Sequence, residues 1–383
     1  MFSLMSRVVV LKTREAQIEK SVNQIFRLAG GIGRFIKKGE KVLVKPNFLN
    51  SKPSSTGATT NLKLLEAVVK AVLKQGATPI IGESTPVSFD AEKVFKRLRA
   101  DRIAKKYKLR LVDMNKHKFR KVKLKNSLAL KEILVSSLVF ECDKLINLPV
   151  LKTHTQTTIT LGMKNLMGCL PGNEKSKLHL AGISQGVVDL CTVIKPTFTI
   201  IDGIIGMEGA GPSNGKPKRM NLLIGSDDLL ASEVVGARIM GFNPRNIRHI
   251  EMAEARGIGE HDEKKIEIIG ASIGKVRKKF SFPMINISIL FGRLYAGHLP
   301  IILSKLGIDV NKVAQKVYDY LVPYPEFLDN CQRCERCIIN CPGRALEIEG
   351  KPKPALDKKK CIKCYVCDEV CMYNSVKVNK RNS

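Results

Sequence analysis

The densest chemistry in the chain lies near its C-terminus, where Cys331-x2-Cys334-x2-Cys337-x3-Cys341-Pro342 is answered by Cys361-x2-Cys364-x2-Cys367-x3-Cys371. Three thiolates on a tight loop suit three irons of a cubane, and a fourth cysteine at the next helix points back toward the other loop. Ligands therefore cross over. The spacing assigns Cys331, Cys334, Cys337 and Cys371 to one [4Fe–4S] cluster, and Cys361, Cys364, Cys367 and Cys341 to a second. Zinc knuckles also use Cys-x2-Cys pairs, but a tetrahedral zinc needs two such pairs and leaves the third and fourth cysteines of each run without a use.

A second set of reactive residues follows the apolar runs of the larger N-terminal part. Lys45-Pro46-Asn47, Glu83-Ser84, Lys152-Thr153-His154, Asp202-Gly203 and Ser226-Asp227 each stand where a strand is expected to stop. In open parallel sheets the carboxyl ends of the strands form the ligand crevice. Lys45, Lys152 and Lys164 would make a cationic cradle for a carboxylate or phosphate, with Asn47, Asn165, Glu83 and Asp202 around it. His154, and with it His179, would move protons, so Lys152, Lys164 and His154 are the candidate catalytic groups. Loops after strands are polar in any protein, and a lone histidine is more often structural than catalytic. The argument for function is that five such ends occur together, two of them lysines where a plain turn would take Gly, Asn or Asp.

The elements that must carry these residues alternate in period. Val8–Lys12, Glu40–Lys45, Thr78–Gly82, Leu109–Asp113 and Lys144–Val150 read as strands. Asn61–Gln75 reads as an amphipathic helix stopped by Gly76, and Asp90–Tyr107 as a basic helix. Glu132–Cys142 reads as a helix or turn. Val187–Val193, Phe198–Asp202, Asn221–Gly225 and a helix at Leu230–Met240 continue the alternation. Strand, helix, strand predicts an α/β core with a mostly parallel sheet covered by helices. Nucleotide loops are missing: Gly30-Gly31-Ile32-Gly33 precedes a strand, and Gly211–Pro217 is one place short of a phosphate loop, with Pro217 where magnesium would need a hydroxyl. The latter stretch reads as an ordered surface turn.

The chain has 383 residues, with 65 Lys+Arg against 35 Asp+Glu and a formal charge of +30. Such a field favours anionic partners: nucleic acid, acidic proteins, anionic surfaces or small anions. Of eleven cysteines, Cys142, Cys169 and Cys191 stand outside the two runs. Thiolate-held clusters and free thiols both point to a reducing, anaerobic cytoplasm. The opening apolar run is too short for a signal peptide. Between Phe280 and Ser304 the uncharged runs reach only about a dozen residues, short of the roughly 20 a membrane span needs, so no transmembrane segment is expected. Pro283 and Pro300 favour a buried helix pair there over an interfacial patch. The expected organisation is a core at 1–275, a helical connector at 276–322 and a small α+β di-cluster domain at 323–383.

From about Pro323 to Val378 the chain resembles bacterial two-cluster ferredoxins, with Met372 where a proline usually follows the last cysteine. Val42–Asn47, Leu148–His154, Met163–Gly168, Asp202–Ser213 and Ala237–Pro244 together resemble the iron–sulfur-centre proteins of domain-of-unknown-function family 362 (DUF362), over roughly residues 40 to 260 plus the tail. The resemblance implies the core architecture and the clusters, and no reaction. Glu233 stands where family members usually have Asp. Two functions remain. In one, the tail passes electrons to or from an anionic substrate or a redox partner protein, as an oxidoreductase or electron-transfer protein. In the other, the clusters are structural and Lys93–Lys125, with Tyr107 and Phe119 interleaved, binds nucleic acid.

Overall fold

The computed structural model describes residues 5–281 and 322–378. In the first of these spans the strands are β1 (Ser6–Lys12), β2 (Lys41–Lys45), β3 (Thr78–Glu83), β4 (Leu111–Asp113), β5 (Phe119–Lys123) and β6 (Glu132–Ser136). They are followed by β7 (Lys144–Asn147), β8 (Val150–His154), β9 (Thr158–Thr160), β10 (Phe198–Glu208), β11 (Lys216–Ser226) and β12 (Ile266–Gly270). The main sheet runs β12-β1-β11-β10-β7-β2-β3-β4. Every neighbouring pair in it is parallel except the two made by β11, which lies antiparallel to both β1 and β10. β8 continues along β10 after β7 and forms a short antiparallel pair with β9.

Strand residues alternate between two cores. Val8, Val10 and Leu43 pack with the helices Ile183–Val193, Leu229–Ile239 and Arg248–Ala255 on one face. Val9, Leu11, Val42 and Val44 pack with Ile18–Leu28, Leu62–Lys74 and Ala91–Leu98 on the other. Burial on both faces is why these strands read as near-continuous apolar runs. Helix Leu62–Lys74 begins where the Asn61 side chain accepts the Lys63 N–H, and it ends at Gly76, whose φ of 78° suits a residue without a Cβ.

The sequence expectations differ from the fold in several places. Asp90–Tyr107 is two helices, Ala91–Leu98 and Ala100–Lys106, parted by Arg99 in the left-handed region. Glu132–Cys142 divides: Glu132–Ser136 is strand, because β6 pairs with β5 as a separate hairpin, and Leu138–Glu141 is the expected helical turn. Val187–Val193 belongs to a helix. Gly211–Ser213 is buried against Thr153 and does not form a surface turn. Asp202 lies within β10, which runs on to Glu208, and Ser226-Asp227 ends the reversed strand, so that pair falls at the opposite rim from Lys45 and Glu83. Periodicity reports that a strand exists; its direction is set by tertiary pairing. The apolar stretch expected as a helix pair lies mainly outside the described residues. Among those described, no helix is long and apolar enough to cross a membrane.

Residues 322–378 repeat on themselves. Each cysteine of the first run has a counterpart thirty positions on, and so do the left-handed residues: Arg333 with Lys363, Glu335 with Tyr365, Arg344 with Asn374. Short helices Arg336–Ile339 and Val366–Glu369 follow the same offset. The strands β13 (Glu326–Phe327), β14 (Leu346–Glu347), β15 (Ala355–Leu356) and β16 (Val376–Lys377) pair as β13 with β16 and β14 with β15. Each small sheet thus joins the strand before one run to the strand after the other.

Where the order of the main sheet turns back, Lys45 at the end of β2 is in register with Asn147 at the end of β7. Lys45 Nζ is 2.8 Å from Glu83 Oε2, and both side chains are buried. Glu83 also accepts the N–H groups of Phe48 and Ser84. Gly168 passes directly over the pair: a Cβ there would fall 2.0 Å from Glu83 Oε1 and 2.4 Å from Lys45 Nζ. Gly168→Ala is therefore expected to cost about 3–5 kcal/mol, the range for disrupting a buried ion pair. Gly274→Ala, with nothing within 4 Å of its Cβ, should be neutral or stabilising by up to about 1 kcal/mol. Denaturant unfolding of the two variants checks both values.

Candidate functional site

Above the Lys45–Glu83 pair lies a cavity of about 110 Å³. Its walls come from the ends of β2, β3 and β8, from Lys164 and Asn165 on the short helix Gly162–Asn165, and from Lys175, Ser176 and His179 on helix Gly172–Ala181. The C-terminal unit closes it with Asn340, Val366, Glu369 and Val370. The helix carrying Lys164 is anchored from below, where Glu233 Oε1 accepts the Met163 N–H at 2.6 Å.

A directed chain of hydrogen bonds organises one wall. Lys152 Nζ donates to Asn47 Oδ1 (2.6 Å), Asn47 Nδ2 to Asn165 Oδ1 (2.9 Å), Asn165 Nδ2 to Asn147 Oδ1 (2.8 Å) and Asn147 Nδ2 to the Gly162 carbonyl (2.9 Å). Because a lysine can only donate, it orients all three amides. Lys152 also donates to the carbonyls of Ala58 and Pro212. Its three hydrogens are thus committed to neutral acceptors, and its role is to hold the wall and supply charge. Lys175 donates to the carbonyls of Ser84 and Thr85. Lys164 Nζ makes no hydrogen bond among the described residues and faces the charge of Glu369.

His154 bridges the two parts of the protein. Its Nδ1 accepts the N–H groups of Gln156 (3.1 Å) and Thr157 (3.4 Å), which puts the proton of the neutral ring on Nε2, 3.2 Å from Glu369 Oε1. Nδ1 is occupied, while Nε2 and Glu369 Oε1 face each other at ion-pair distance without hydrogen-bond alignment, so His154 acts as a positioning group through its place between the two parts. His179 gives Nδ1 to Gln156 Oε1 at 3.0 Å. Its Nε2 makes no hydrogen bond among the described residues, and its ring lines the cavity.

Burial dominates the electrostatics. It holds Lys152 and Lys175 down at about 7 and lowers Lys164. It also holds His154 at about 4 and His179 at about 3, with Lys164 adding to both shifts. Glu369 is the exception. Burial pushes its carboxyl up, but His154, Lys164 and His179 together outweigh that and hold it at about 2. The site therefore holds neutral histidines and an ionised Glu369 at neutral pH.

The sequence candidates Lys45, Asn47, Glu83, Lys152, His154, Lys164 and Asn165 all come together here. Asp202 does not: its carboxylate caps the N–H groups of Asn61 and Ile204. Sequence reasoning missed Glu369, Lys175, Ser176 and Asn147. Glu369 lies between Cys367 and Cys371, where the cysteine pattern drew all the attention. In the basic stretch, Lys105, Lys106, Lys116 and Lys121 pair with Asp101, Glu66, Glu92 and Glu132, so part of its charge is met within the protein.

The C-terminal unit docks through a few specific contacts. Asn214 Nδ2 donates to the Asp368 carbonyl (2.6 Å) and to Asp368 Oδ1 (2.8 Å), Arg336 lies over the Phe89 ring, and Cys364, Val366 and Val370 join the core's own apolar cluster. In both runs the backbone N–H four residues on points at the fourth sulfur, Ala345 at Cys341 Sγ and Ser375 at Cys371 Sγ, each at 3.3 Å. The charge of Cys341 bears on Cys361 and Cys364 of the other run.

Residues 42–238 match the family model described as Domain of unknown function (DUF362). A thylakoid-associated protein of Synechocystis is 30% identical over 244 residues, covering 62% of this chain and 74% of that protein. The chain belongs to the DUF362 family. The DUF362 match contains every core residue of the cavity, whereas Asn340, Val366, Glu369 and Val370 lie beyond it. An uncharacterised ferredoxin of Methanocaldococcus jannaschii is 40% identical over 45 residues, 12% of this chain and 73% of that protein. A dihydromethanopterin reductase (acceptor) of Methanosarcina mazei is 28% identical over 83 residues, 21% of this chain and only 32% of the reductase.

Because His154 and His179 bind protons more weakly folded than unfolded, their contribution to stability is complete above the unfolded value of about 6.5 and is lost as pH falls toward 4. Acidification across that window should lower the unfolding midpoint, and His154→Gln should flatten the dependence. Thermal unfolding followed between pH 7 and 4 measures it.

Proposed function

We propose that this chain is an iron–sulfur redox protein in which a ferredoxin-type unit, residues 323–383, sits over a small anion-binding cavity in an α/β core, residues 1–275, with 276–322 as the connector. The observation that carries the reading is the shared wall: Glu369 faces the core's Lys164 and His154 from between Cys367 and Cys371.

Two [4Fe–4S] clusters are the cofactors this reading requires, one on Cys331, Cys334, Cys337 and Cys371, the other on Cys361, Cys364, Cys367 and Cys341. The donor set suits them. Burial pushes the thiols of Cys337 and Cys364 up to about 12, and that of Cys367 further, so thiolates there need a cationic partner of the kind an iron core provides. A zinc knuckle would use two Cys-x2-Cys pairs and leave the third and fourth cysteine of each run without a use, whereas a cubane takes each of four thiolates on a different iron. The likeness to a ferredoxin and, over a shorter share, to a reductase points the same way.

When bound, the clusters supply one-electron chemistry. The chain's own residues do the rest. Lys164 and Lys175 attract an anion, Lys152 and the three asparagines keep the wall rigid, the C-terminal unit excludes water, and His179 Nε2 exchanges a proton with the bound molecule.

Anaerobically prepared protein is expected to carry about eight irons and about eight sulfides. Cys334→Ala should lose or convert one cluster while the core keeps its circular dichroism. His179→Gln should leave both clusters reducible by dithionite yet abolish reoxidation by substrate. Stoichiometric zinc in protein grown with ample iron, without iron–sulfur absorption, would sink the reading.

A further inference from the structure

The charges around the cavity narrow the class of molecule it can hold; this inference rests on reading the cavity as a ligand site. Four lysines, Lys45, Lys152, Lys164 and Lys175, stand against two carboxylates, Glu83 and Glu369, and both histidines are neutral. Lys45 and Glu83 satisfy each other at 2.8 Å. Glu369 answers one of the remaining three lysines. No further acid lines the cavity among the described residues, which leaves two of those lysines without a carboxylate partner. Enclosing such a surplus is costly unless an anion arrives to meet it.

The hydrogen-bonding capacity left over shows where that anion sits. Lys152 has none, Lys175 keeps one hydrogen beyond its bonds to Ser84 and Thr85, and Lys164 keeps all of its own among the described residues. Lys175 and His179 are four residues apart on one helix and so share a face, and Ser176 lines the same wall. At about 110 Å³ the cavity has room for a molecule several times the size of a water. It falls short of the roughly 300–1,000 Å³ of sites that take drug-sized ligands or nucleotides.

We propose that the cavity binds a small dianion, a short dicarboxylate or a phosphate group, gripped by Lys164 and Lys175 with the ammonium group of Lys152 behind it. Proton uptake accompanies binding. Lys152 faces Glu369, Lys164, Glu83 and Lys45, and Lys175 faces Glu83, Lys45, Cys169 and Lys164; with both held down at about 7, each is partly neutral just above neutral pH. A dianion raises both, and protons enter from the buffer.

Titration calorimetry of the full, iron-loaded chain with malonate, succinate, inorganic phosphate and acetate, in two buffers of different protonation enthalpy, tests this. The expected result is binding of at least one dianion with proton uptake, and acetate weaker by about tenfold or more. Phosphate ahead of both dicarboxylates assigns a phosphoryl ligand, and the reverse order a dicarboxylate. Lys164→Gln and Lys175→Gln should each weaken the preferred dianion roughly 10- to 100-fold at unchanged iron content and circular dichroism. Should those variants fail to fold, the preference of the unaltered chain for a dianion over acetate decides, and its absence overturns the proposal. Failure of every dianion to bind, acetate binding as tightly, or unchanged affinity in folded Lys164→Gln also overturns it. Dianion binding by protein that takes up no iron when prepared anaerobically with ample iron and sulfide would sink the redox reading and leave this one standing.

Discussion

The buried Lys45–Glu83 ion pair is the contact on which the functional face depends. It joins the ends of two adjacent parallel strands at the point where the sheet order reverses, and Gly168 folds over it so closely that no side chain fits between. A charge pair taken out of water is worth little by itself, but removing or displacing either partner strands the other. The pair therefore fixes geometry more than it adds stability. With Glu83 also holding Phe48 and Ser84, one carboxylate sets the paths of the loops after β2 and β3 and of the segment that returns over them.

Four lysines at one end of a sheet have four different fates. Lys45 is paired, Lys152 is spent on neutral acceptors, Lys175 keeps one of its three hydrogens, and Lys164 is open. The difference lies in what each meets. Lys152 comes in from β8, which runs beside β10 beyond the ends of β2 and β3, and this carries its ammonium group over the loop carbonyls of Ala58 and Pro212. Lys164 rides on a helix only four residues long, anchored by Glu233 on the far side, and meets no carbonyl acceptor among the described residues. Glu233, with a methylene more than the Asp usual at this place, still meets the Met163 N–H at 2.6 Å.

The C-terminal unit is part of the site because the second helix of its repeat turns three residues toward the core. Val366–Glu369 turns Val366 into the apolar cluster, Asp368 onto Asn214 and Glu369 onto His154. Its repeat partner Arg336–Ile339 has Ile339 at the position of Glu369, and Ile339 is 57% exposed. The same backbone thus serves solvent on one side and a closed polar contact on the other. A neutral histidine facing an ionised carboxylate joins two separately built parts without burying a second charge.

The sequence by itself determined the cysteine pattern with its thirty-residue repeat, the alternation of strand and helix, and the polar residues that end the strands. Each of these is a local property: spacing, period, or a residue type following an apolar run. It also brought forward most of the cavity's core residues, because the ends of neighbouring parallel strands must lie together once the sheet forms. Tertiary structure alone decided which of those residues are free. Strand direction put Ser226-Asp227 at the far rim and Asp202 inside a strand, and pairing spent Lys45, Lys152 and His154. Folding the C-terminal unit onto the core brought in Glu369 from more than two hundred residues beyond His154. Composition and periodicity count donors and acceptors, whereas hydrogen-bond partners and counter-ions are chosen by groups distant in the chain, and those choices decide whether a lysine holds a wall or holds a ligand.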